Sequence, residues 1–70
     1  MDTYGKRLND ALIFRNRDRK WLSAQIGVSV QAIGQLIRGE TNALTAANHD
    51  KAAAVLEVSP RWLSSGIGSM

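Results

Sequence analysis

Residues 20–39 constrain this chain more than any other stretch, because they read as two short helices that must meet at a tight corner. Leu22 and Ile26 stand four apart and lay an apolar stripe along the first helix, while Ile33, Leu36 and Ile37 lay another along the second. Gly27 falls where the first helix has to stop. A glycine there takes the left-handed conformation that ends a helix at little steric cost, and Val28 can then plug the angle between the segments. Ser29 follows as an N-cap whose hydroxyl can accept from the amide of Gln31 or Ala32, so the second helix restarts almost at once.

Two helices joined by a turn of three to four residues containing glycine form a helix-turn-helix, a unit whose second helix can enter the DNA major groove. The charge distribution agrees. Residues 1–38 hold Lys6, Arg7, Arg15, Arg17, Arg19, Lys20 and Arg38 against Asp2, Asp10 and Asp18, whereas residues 39–70 hold Lys51 and Arg61 against Glu40, Asp50 and Glu57. The net charge of +3 therefore gathers on the half that carries the motif, as a polyanionic partner would favour.

The remaining chain reads as further helices and no strand. Residues 3–16 form an expected first helix, capped by Thr3 or Asp2, with Leu8, Ala11 and Leu12 inward and Ile13 or Phe14 widening that face. Asp18 caps the second helix. Residues 39–43 read as a loop, and Thr45 caps a fourth helix running to about Leu56 with Ala52, Ala53 and Leu56 inward. Ser59 and Pro60 start a short fifth helix that Gly66 ends. The expected architecture is one all-α domain over residues 1–66, followed by a tail over 67–70 that has no core role, is mobile and begins a linker. With 70 residues and no cysteine, the core must stand without disulfides or thiolate metal sites. Apolar runs are short, so neither a membrane span nor a signal peptide is expected, and the cytoplasm is the expected location.

The corner Leu22-Ser23-Ala24-Gln25-Ile26-Gly27-Val28-Ser29, with Ile33 and Leu36 behind it, resembles the lambda-repressor-like (Cro/CI, XRE) DNA-binding domains. The later run Leu56-Glu57-Val58-Ser59-Pro60-Arg61-Trp62-Leu63 is similar to the closing helix of that family, and together the two runs span most of the chain. The resemblance implies a five-helix bundle with the helix-turn-helix at helices 2 and 3, recognition by the third helix, and a homodimer on a palindromic DNA operator. It also implies that the loop after the recognition helix touches the operator. Two positions depart from the pattern: Arg19 stands where the family often has a phosphate-positioning glutamine, and Ser23 where it usually has alanine.

Base reading is expected from the exposed part of the third helix. Gln31 and Gln35 share a face and suit bidentate contacts to adenine, while Val30 and Ala32 are short enough to meet thymine methyl groups. Backbone contacts are expected from Arg15, Arg17, Arg19, Lys20 and Arg38, from Ser29 at the helix N-terminus, and from Thr41 and Asn42 in the following loop. Gly34 costs about 1 kcal/mol inside a helix, which calls for compensation by close packing or by close approach to DNA. His49 is the single histidine and reads as solvated, with no second ligand for a metal and no nucleophile at a fixed spacing. Catalysis, a metal, a cofactor and a small-molecule ligand are therefore not expected. The leading reading is a phage Cro/CI-type transcriptional repressor. Its alternatives are an antitoxin-type autoregulator, or a helical protein-interaction module without DNA binding.

Overall fold

The computed structural model describes residues 2–70, and over them every regular element is a helix. In chain order these are α1 (Tyr4–Phe14), α2 (Arg19–Ile26), α3 (Val30–Ile37), α4 (Ala46–Leu56) and α5 (Pro60–Ser65). Each starts on a short polar side chain that accepts from the amide three residues on. Thr3 takes Lys6 at 3.1 Å, Asp18 takes Trp21 at 2.7 Å, Ser29 takes Ala32 at 3.0 Å, Thr45 takes Asn48 at 3.4 Å and Ser59 takes Trp62 at 3.2 Å. Each bond satisfies an amide that a first helical turn leaves without a partner.

The largest fully buried side chains, Leu8, Leu22, Ile33, Leu56 and Leu63, come one from each helix. Ala11, Leu12, Ile26, Leu36, Ala52, Ala53 and Val58 close around them. Helix α1 ends earlier than the expected residue 16. Asn16 turns left-handed at φ 57° and donates to Ile13 O at 3.0 Å, while the Arg17 amide reaches Leu12 O at 2.9 Å, a double bond pattern that closes the last turn. Ile13 and Phe14, expected to widen the inner face, are instead 69% and 65% exposed. The reason is angular: each step along a helix turns by about 100°, so the stripe through Leu8, Ala11 and Leu12 has passed by residue 13.

Three contacts between distant segments hold the bundle together. At Gly5, α1 lies so close to α3 that a Cβ would overlap the Leu36 carbonyl. Arg7 is buried against α5, where Nε donates to Leu63 O at 2.9 Å and Nη2 to Ser64 O at 3.0 Å, while Nη1 donates to Asp2 Oδ2 at 3.1 Å. It thus serves the free carbonyls of α5, where a positive charge also meets the negative end of the helix dipole. His49 corrects the solvated reading given above. A carbonyl oxygen only accepts, so its Nε2 donates to Pro60 O at 3.1 Å, and in the neutral ring Nδ1 accepts from the Tyr4 hydroxyl at 2.7 Å. This one side chain therefore ties α1, α4 and the start of α5 together. In the tail, Met70 packs against the core, contrary to the expectation of no core role, while Ile67 stays exposed.

Two predictions follow from these contacts. Gly5→Ala should lower stability by about 1–3 kcal/mol in urea unfolding, because the added methyl meets backbone that cannot rotate away; an unchanged midpoint would mean the two helices are free to separate. Burial pushes the Tyr4 phenol from 10.0 up to about 12, against smaller opposing effects of the Leu44 amide and Arg7. A raised pKa means the fold favours the neutral phenol, so its contribution is complete below pH 10 and is lost as pH rises through about 12. Stability followed by circular dichroism should fall over that window and fall less steeply in Tyr4→Phe; equal slopes would assign the decline to other groups.

Candidate nucleic-acid interface

The corner between α2 and α3 is built as its residues demand. Gly27 adopts φ 74° and its amide returns to Ser23 O at 2.9 Å, which ends α2. Val28 packs half-buried against the core, and Ser29 then caps α3. With Ile33 and Leu36 buried on its inner face, α3 turns Val30 and Gln31 outward, with Val30 44% exposed. Ala32 and Gln35 are half-buried at the edges of the same helix. Ser29 Oγ already accepts from Ala32, and its hydroxyl proton remains available to an anion.

The basic residues divide into two sets. Arg17, Arg19 and Lys20 line a shallow cleft of about 380 Å³ between α1 and the start of α2, together with Asn9, Leu12, Ile13 and Asp18. Within this set the Arg17 guanidinium lies 4.7 Å from the centre of the Trp21 ring, which holds the long side chain against the surface. Arg38, at the end of α3, pairs with Glu40 at 2.8 Å. The guanidinium holds the Glu40 carboxyl below the usual carboxylate range, and the carboxylate in turn raises Arg38. Arg19 and Arg38 both reach buried Gly34, where a Cβ would meet only the ends of their side chains. Thr41 and Asn42 are exposed in the loop that follows.

Arg15 stands apart from this surface. Its Nε donates to Leu56 O at 2.7 Å and its Nη2 to Glu57 O at 2.6 Å, where it caps the end of α4. Glu57 itself sits at φ 54°, a left-handed conformation that a non-glycine residue adopts at some cost and that this contact helps to hold. Two guanidinium nitrogens are thus engaged by structure, while the residue itself stays exposed. Sequence reasoning also missed Arg7, and for both arginines the partners are backbone carbonyls of remote helices.

Among the described residues, no group of three or more His, Cys, Asp or Glu is placed to hold a metal ion, and no helix is long and apolar enough to cross a membrane. No family model matches the sequence, and no curated protein matches it either. Among solved structures, the chain is similar to the P22 c2 repressor protein in complex with synthetic operator 9T in the presence of Tl+. The two superpose with a TM-score of 0.84 at 27% identity, over 94% of this chain and 98% of that one.

Arg15→Gln should destabilise the fold by about 1–3 kcal/mol, since it strips charge-assisted bonds from the end of α4. Thermal unfolding measures it, and no loss would show that these carbonyls are equally well served by water.

Proposed function

From its fold as a lambda-repressor-like helix-turn-helix domain of the phage repressor type, we infer that this chain is a sequence-specific DNA-binding transcriptional repressor. The observation that carries the reading is the outer surface of α3, where Val30, Gln31, Ala32 and Gln35 lie on a helix gripped from behind, with Arg19 and Arg38 beside it at Gly34. The operator complex of the P22 c2 repressor, whose fold matches along nearly the whole chain, supports it.

In this reading α3 enters the major groove. Gln31 and Gln35 hydrogen-bond to base edges, and Val30 and Ala32 meet thymine methyl groups. Arg17, Arg19, Lys20, Arg38, Ser29, Thr41 and Asn42 contact phosphates and fix the register without reading sequence. The protein acts in the cytoplasm as a homodimer of the Cro/CI type on a palindromic operator, with one α3 per half-site about 34 Å apart, and represses by occupying a promoter. It carries out no reaction of its own.

Selection from randomised duplexes at near-physiological salt tests this directly. A two-fold symmetric site should emerge. Gln31→Ala and Gln35→Ala should each cost about 1–3 kcal/mol on that site and change the preferred bases, whereas Lys20→Ala should weaken all duplexes alike and flatten the salt dependence by about one ion. Absence of binding even at low salt would refute the repressor reading.

A further inference from the structure

Gly34 is buried in α3, and two guanidinium groups meet in the space its missing side chain leaves. A Cβ at this position would stand 3.1 Å from Nη1 of Arg38 and 3.2 Å from Nη1 of Arg19. Arg19 is the first residue of α2 and Arg38 caps the end of α3, so the corner brings cations from both helices to one spot. Like charges this close repel. Among the described residues, Glu40 alone pairs with either of them; it takes Arg38 at Nε, leaving Nη1 uncommitted, and Arg19 makes no ion pair. Such an arrangement is unfavourable when empty and becomes favourable when an anion stands between the two cations. A phosphate group suits it, since its several oxygens can accept from two planar guanidinium forks at once.

We propose that Arg19 and Arg38 close over Gly34 as a single clamp for one phosphate group, with Gly34 as the positioning residue. The source of that phosphate, one defined phosphodiester of a DNA duplex, rests on the function inferred above; the anion site itself does not. Glu40 is the internal counter-anion that keeps Arg38 in place while the clamp is empty. An alanine at position 34 would push both guanidinium groups outward and yet suit the helix better than glycine, so binding and stability should move in opposite directions.

The test has two arms on the full chain. In the first, inorganic phosphate is titrated against chloride at constant ionic strength while NMR follows the Arg19 and Arg38 Nε–H signals and the Gly34 amide. All three should shift with one common dissociation constant, and the response should vanish in Arg19→Gln and in Arg38→Gln. In the second, duplex binding is measured against salt. Each single variant should weaken binding, and the double variant should lose little more than either, with the slope flattened by about one rather than about two. Gly34→Ala should bind duplex several-fold more weakly while its melting temperature holds or rises. Separate dissociation constants, additive losses with a slope change of about two, or native duplex affinity in Gly34→Ala would overturn the clamp. Phosphate shifts in a chain that binds no duplex would leave the clamp standing and remove the DNA-binding reading.

Discussion

The outward face of α3 depends on how firmly its inner face is held. Ile33 and Leu36 are buried, and the backbone itself is gripped where Gly5 of α1 lies against the Leu36 carbonyl. A contact between backbones fixes position more tightly than one between side chains, because no rotamer change can relieve it. Gly27 and Ser29 set the angle at one end of the short helix, and α1 sets its depth at the other. An eight-residue helix is too short to be stable alone, so its geometry is entirely a property of this packing.

The charge of the chain divides along the same line. Of the basic residues in the first 38 positions, Lys6 pairs with Asp10, Arg7 closes α5 and Arg15 closes α4. What remains is Arg17, Arg19 and Lys20 around the start of α2, with Arg38, paired to Glu40, at the end of α3, a smaller group than the sequence count suggests. Arg7 on α1 and Arg15 at its C-cap stand eight residues apart, and each serves the carbonyl end of a later helix. Helix α1 is thereby a strut that orders both α4 and α5.

The parts of this fold that were legible in the sequence are those decided within four residues. Thr3, Asp18, Ser29, Thr45 and Ser59 cap their helices because the hydroxyl or carboxylate and the amide it serves are three positions apart, and Gly27 and Gly66 end theirs for equally local reasons. The motif and its placement of Gln31 and Val30 on the outside follow from the same local periodicity. Arg7, Arg15 and His49 escaped because their partners lie 56, 41 and 45 residues away and are backbone carbonyls or a lone hydroxyl, which no residue pattern marks. Gly5 is different. It lies in the first turn of α1, where the cost of glycine inside a helix does not apply in full, so nothing local marked the close approach to Leu36.

The division of labour has a consequence for how such a surface can change. Among the described residues, the side chains of Val30, Gln31 and Gln35 make no hydrogen bond to the protein, whereas Ser29 beside them is committed to capping. Substituting the first three disturbs no cap, no core contact and no ion pair, so the stability cost should stay within the small range of ordinary surface changes. Ser29 lacks that freedom, because its hydroxyl is at once part of the frame and part of the outward face. A scaffold arranged this way can exchange three outward side chains while the corner that presents them stays fixed.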